Sequence, residues 1–455
     1  MSILTTMLLM ALLIMFDMSH VSVHGAGKHI YLCTTIGGIS HSRWLFEIGN
    51  VLIERGYQVT YITDEYNTRF TSGYPNLDVQ PILPPTTILQ DNTMFTSLNE
   101  LSMWKTLQKV LESEYDANYN TMMTFFDQHP PDMVVCDMIL DFCIDAAIEY
   151  GAPVAITSTS TLMHRQQGIC HIPFLQWACR HLLRLFWYPF LWEDNKIHAL
   201  KLVNNYFGLE PAQDLDPLTH MVGPILPDYQ SGFNLSNAEQ QFLATHEKVI
   251  LVAFGQHQLF HHDAQETACL DMALQEHQRC GNVDGVIWLT REETNICNNQ
   301  RESKRLDYMC VEWINQHAIL HHPSVRLLIS HGGSGSLHES LDAGVPLLLF
   351  PSMADQIPNA KQLQAEGVAR WHPRGATNMD VQSIIEDLEF LLYSDNPALQ
   401  DSLKRHKTLV DLGKRRKYYV ADLLEELVLT SSIHGRLEHR IKKMDTLLSW
   451  FQNMY

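Results

Sequence analysis

LLISHGGSGSLHE, residues Leu327–Glu339, passes from a buried apolar run into small residues and then opens a helix. Small residues let a backbone approach a phosphate closely, and a helix start offers free N–H donors with a partial positive charge. Taken alone, such a turn serves tight strand-to-helix packing as readily as anion binding. Its setting is what decides the fold. VPLLLFP follows it, and before it lie KVILVAFG, a helical stretch over Gln265–Cys280, and GVIWLT. Short apolar runs alternating with helical periods read as parallel βαβ units.

The same alternation occupies the first half of the chain. HIYLCTT from His29, a glycine turn, the helical SRWLFEIGNVLIERG and YQVTYIT make one unit; DMVVC, DFCIDAAIEYG and APVAITS make another. Between the halves, Met221–Asn237 carries two prolines and two glycines and has no helical period, as a connector does. The expected organisation is α/β, with two doubly wound domains over 27–225 and 246–430 joined by 226–245. A terminal helix over 431–455, expected to pack back on the first domain, completes it. Ligands of such sheets lie beyond the carboxyl ends of the strands, in a cleft.

Composition narrows the function. The chain has 455 residues, 45% hydrophobic and 18% charged, enough for two packed cores. A formal charge of -19 argues against a nucleic-acid partner, because phosphate backbones need a positive face. Nine cysteines without a C-x-x-C pair fit neither a zinc site nor a dense disulfide framework, so most are expected to be buried thiols. MLLMALLIMF, Met7–Phe16, followed by Gly25, Ala26 and Gly27, reads as a secretory signal over residues 1–26, although no Lys or Arg precedes it. Whether it is cleaved or kept as an anchor stays open. If the chain enters the secretory pathway, Asn234-Leu235-Ser236 is a glycosylation acceptor. No later run is long enough to span a bilayer, so no C-terminal anchor is expected.

With VEWINQHAILHHP upstream and GVPLLLFPSMADQIPNA downstream, the stretch from Trp313 to Gln356 resembles the signature box of the UDP-glycosyltransferase family, the glucosyl- and glucuronosyltransferase-like family 1 that includes fungal members. The box spans 44 positions in the family and the same number here. The resemblance implies a GT-B fold of two Rossmann-like domains. It also implies a UDP-sugar co-substrate, a small-molecule acceptor and no metal or other cofactor. Trp313 would stack on uracil, Gln316 hold the nucleoside, and Glu339 accept the ribose hydroxyls. His331, backbone near Gly333 and the Ser336 hydroxyl would hold the diphosphate as it leaves. Asp355 and the terminal Gln356 would contact the transferred sugar, in the form seen in glucose users. Three positions depart from the family: Gly335 replaces a common Asn, Asn315 a Pro, and Gln256 a phosphate-contacting Ser.

His41, in TTIGGISHSRW, stands where the family carries its catalytic base, and Asp137, in DMVVCDMILD, aligns with the acidic partner. An imidazole titrates near neutrality and can take an acceptor's hydroxyl proton, while a carboxylate fixes its tautomer. The other reading of Asp137 is a helix N-cap. The acceptor pocket is expected from Pro84–Tyr119 and Thr157–Trp192. The cluster LFWYPFLW, Leu185–Trp192, suits an apolar acceptor wall, ordinary core or a peripheral membrane contact. Asp214-Leu215-Asp216 forms a D-x-D beside a proline and reads as a solvated loop. Two rival functions remain: a hydrolase using Ser334, which lacks the G-x-S-x-G elbow, and a degenerate family member that binds without turnover. A dehydrogenase lacks its G-x-G-x-x-G.

Overall fold

The computed structural model describes residues 27–36, 38–86, 100–159, 199–212, 215, 217–227, 235–255, 264–290, 306–352, 355–373, 380–393 and 396–434. The expected signal segment, the sequon Asn234, Asp214 and Asp216, Leu185–Trp192, Gln256 and everything after His434 lie outside them.

The first half folds as His29–Cys33 (β1), Ile39–Glu54 (α1), Gln58–Asp64 (β2), Asp78–Leu83 (β3), Glu100–Gln128 (α2), Met133–Asp137 (β4), Asp141–Tyr150 (α3), Val154–Ser158 (β5), Leu200–Val203 (β6) and Thr219–Met221 (β7). These strands form one parallel sheet in the order β3-β2-β1-β4-β5-β6-β7. Ile30 and Leu32 pack into one core layer and Tyr31 and Cys33 into the other. A strand buried on both faces loses the polar alternation of an exposed sheet, which is why β1 reads as a continuous apolar run.

The second half contains Asn237–Thr245 (α4), Val249–Ala253 (β8), Ala264–Arg279 (α5), Gly285–Leu289 (β9), Asp307–Val311 (β10), Gln316–Leu320 (α6), Val325–Ser330 (β11), Ser334–Ala343 (α7), Leu347–Leu349 (β12), Gln356–Ala365 (α8), Ala369–Trp371 (β13), Val381–Leu392 (α9), Pro397–Lys414 (α10) and Arg416–His434 (α11). Its sheet is also parallel, ordered β10-β9-β8-β11-β12-β13. The chain is thus of GT-B type. In each sheet the strand order reverses at one point, between β1 and β4 and between β8 and β11. Crevices for ligands open at such points.

Two segments differ from the sequence reading. Part of the expected connector is the helix α4, whose Ser236 and Glu239 cap its start reciprocally and whose Leu243 enters the second core. Helix α11, counted above mostly with the second domain, packs on the first. Val420, Leu424, Leu427 and Val428 join Trp44, Leu45 and Ile48 of α1 in one buried cluster. Each such side chain contributes roughly 1.5–3 kcal/mol relative to exposure. Lys417 pairs with Glu47 at 3.0 Å and Arg55 with Glu425 at 3.0 Å, fixing the register of the two helices. The apolar period in α11 is legible; which core it serves is a tertiary choice that no local pattern encodes.

Candidate active site

Gly38, at φ +67°, turns the chain after β1 directly into α1, so that His41 stands in the first helical turn. A side chain there would be strained, which is one reason a glycine sits at this corner. Asp137 is the last residue of β4, next to β1 across the switch point. The two meet: His41 Nδ1 is 2.6 Å from Asp137 Oδ2, and the other carboxylate oxygen accepts from the Ile139 backbone N–H at 3.1 Å. Helix α3 starts later, capped at Leu140, so Asp137 is not a helix cap.

A carboxylate only accepts, so Nδ1 carries the proton and a neutral His41 presents its lone pair at Nε2. Burial lowers the proton affinity of His41. The charge and hydrogen bond of Asp137, with a further contribution from Asp355, outweigh that and hold it above its ordinary value. Asp137 is flanked by a disulfide, Cys136–Cys143, and Cys310 is disulfide-bonded as well. The reading of the cysteines as mostly buried thiols is corrected here; Cys33, Cys269 and Cys280 are the free ones described. A spacing of seven residues across a strand end and a helix gives no sequence signal, because pairing depends on the turn between them.

Across the cleft, Gly332 (φ +90°) and Gly333 carry the backbone from β11 into α7, whose start has no side-chain cap and no acidic residue in its first turn. The His331 ring folds back over Gly333, where an added Cβ would lie 2.4 Å from Nε2, and against Gly255 after β8, where one would lie 2.9 Å from the ring. Both glycines are therefore occupied by the imidazole rather than by open space. This places His331 beside the uncapped helix start, an anion-binding arrangement.

Gln316 begins α6 and donates through Nε2 to Ser336 Oγ at 3.1 Å and Glu339 Oε2 at 2.8 Å. Three of the expected nucleoside and phosphate contacts therefore form one hydrogen-bonded group. Trp313 stands 52% exposed, which a core tryptophan would not be and a stacking platform must be. Asn315 caps α6 through the Ala318 N–H at 3.2 Å, so this departure from the family's Pro is a local substitution of one helix-start device for another.

Asp355 and Gln356 open α8. Asp355 accepts from Ser334 Oγ at 2.8 Å and from Asn359 Nδ2 at 3.1 Å, and Gln356 Oε1 accepts from Ser352 N and Oγ at 3.1 and 2.9 Å. Ser334 thus donates to a carboxylate and, among the described residues, has no imidazole hydrogen-bonded to it, unlike a hydrolase nucleophile.

Three contributors carried no sequence signal. Arg43 Nη1 reaches Glu339 Oε1 at 3.0 Å from the other domain. Asn359, fully buried, ties Gly332 O to Asp355 at 3.1 Å each. Ser40 packs against Gly335, where a Cβ would lie 2.9 Å from the Ser40 Cβ. The departure at Gly335 thus serves close approach of α7 to α1.

Residues 282–396 match the family described as UDP-glucoronosyl and UDP-glucosyl transferase. UDP-glycosyltransferase FPY2 of Fusarium mangiferae is 25% identical over 472 residues, covering 90% of this chain and 85% of that one. UDP-glycosyltransferase 1 of Phaeomoniella chlamydospora is 30% identical over 272 residues, 57% of this chain and 55% of that one. Among solved structures, Os79 of O. sativa in complex with U2F and trichothecene has a TM-score of 0.68 at 16% identity, covering 86% of this chain and 99% of that one. With the GT-B architecture shared nearly end to end and sequence similarity running through both halves, this chain is a transferase similar to UDP-glycosyltransferases along most of its length.

Proposed function

We propose that the enzyme moves a hexose, with glucose preferred, from UDP to the hydroxyl of a small apolar acceptor, with inversion at the anomeric carbon. His41 Nε2 takes the hydroxyl proton as the oxygen attacks, and Asp137 stabilises the imidazolium that forms. UDP departs toward His331, Ser336 and the start of α7, where donors that need no reorganisation meet the developing charge. Trp313, Gln316 and Glu339 hold the nucleoside, and Asp355 with Gln356 the sugar. Gln256, outside the described residues, is assigned to the phosphate side. No step calls on a metal.

The observation that carries this reading is the 2.6 Å contact of His41 with Asp137, which fixes the base tautomer at one switch point while the uncapped α7 start lies at the other. The disulfide supports an oxidising compartment and hence the secretory route. Among the described residues no helix is long and apolar enough to cross a membrane.

Incubation with several UDP-sugars and an acceptor library, read by mass spectrometry, tests the proposal. UDP-glucose should give the fastest hexose adduct, and Glu339→Ala should raise the donor KM with a smaller change in kcat. UDP binding without any adduct would establish a binding-only protein instead.

A further inference from the structure

Helices α6 and α7 present Gln316, Ser336 and Glu339 toward the cleft, and the same two helices converge again away from these side chains. There, His317 Nε2 lies 2.7 Å and His321 Nε2 3.4 Å from the same oxygen, Asp342 Oδ2. All three donor atoms lie within 4.8 Å of one another. None of them takes part in the reaction proposed above. We propose that His317, His321 and Asp342 bind a divalent transition metal of the zinc class, with water as the fourth ligand, stapling α6 to α7.

The hydrogen bonds around the cluster point the same way. His321 Nδ1 lies 2.9 Å from the His317 backbone carbonyl, which only accepts, so Nδ1 carries the proton. Its Nε2 on the neutral ring then points a lone pair at the Asp342 carboxylate oxygen. A cation between His321 and Asp342 removes that conflict. The carbonyl bond is also the usual outer support of a ligating imidazole, and Lys414, paired with the other Asp342 oxygen, supplies the corresponding support for the carboxylate.

One spacing already has the length that four-coordination requires. Metal–ligand bonds of about 2.0–2.1 Å in a tetrahedron separate ligand atoms by about 3.3 Å. The His321–Asp342 spacing of 3.4 Å matches that edge, whereas the 2.7 Å His317–Asp342 contact is a hydrogen bond. On metal binding the neutral His317 ring takes the tautomer protonated at Nδ1, which frees Nε2 as a ligand, and the pair opens by roughly half an ångström. Two imidazoles at one helical turn's spacing, with a carboxylate shared with Lys414, favour zinc over magnesium or calcium, which require several oxygen ligands.

The test uses the untagged full chain, stripped with chelator and titrated with Co²⁺ in the absence of nucleotide. The wild type should show the visible band of four-coordinate cobalt at one equivalent, displaced by Zn²⁺. His321→Ala, which leaves the His317–Asp342 and Lys414–Asp342 pairs intact, should bind that equivalent at least tenfold more weakly. Zn²⁺ should raise the melting temperature of the wild type only. His317→Gln provides a second variant if the first does not fold. No four-coordinate spectrum in the wild type, or identical titrations in wild type and variant, would show a hydrogen-bonded ion cluster and overturn the proposal.

Discussion

Burial and the Asp137 carboxylate act on His41 in opposite directions, and the carboxylate prevails, holding the imidazole above its ordinary value of about 6.5. A general base must be unprotonated, so kcat/KM should decline as pH drops through this raised value. In Asp137→Asn only the burial penalty and the weaker charge of Asp355 remain. The acidic limb of the pH–rate profile should therefore move to lower pH, while kcat drops about 10²–10⁴-fold. An unmoved limb would mean that Asp137 does not set the state of His41. Glu339 makes a second case. Each of its oxygens accepts one bond, from Gln316 and from Arg43, so in the proposed reading the ribose hydroxyls compete with the guanidinium for this carboxylate. The pair is mostly buried but not sealed, and its loss is worth about 1 kcal/mol. Arg43→Ala should thus bind UDP about fivefold more tightly by titration calorimetry. Weaker binding would instead assign Arg43 to the nucleotide.

At the scale of elements, the start of α7 faces α1 so closely that Gly335 has no room for a side chain against Ser40. Restoring the family's Asn at this position should harm this chain. Gly335→Asn forces the helices apart at a cost of about 1–3 kcal/mol, and transfer should drop about tenfold or more while UDP binding persists. Ser40→Gly in the same chain should recover part of the loss, and a fully active single variant would refute the packing account. The sequence showed such elements unevenly. Strands buried on both faces, such as β1, β4, β8 and β11, announce themselves as apolar runs, and the glycines beside them mark the corners where His41 and His331 stand. Edge strand β10, only partly buried, and the three-residue β13 have no such run and went unread. The contacts of Arg43, Ser40 and Asn359 were equally invisible, since each depends on a partner far along the chain or on how two domains meet.

Over the whole molecule, two open sheets place their switch points opposite one another, and α11 returns from the second domain to clamp the first. Tyr206, from the first half, bonds His406 of α10 at 2.8 Å, so the halves are interleaved rather than merely tethered. In the proposed reading, such an arrangement brings a base on one domain to a leaving group held by the other. Division of labour follows from it: the second domain should bind UDP whether or not the base is present. The most direct test is His41→Ala, with the transfer rate and the UDP dissociation constant measured on the same preparation. Transfer should drop about 10²–10⁴-fold while UDP affinity stays within about twofold. Retained transfer, or affinity lost in step with it, would contradict the account.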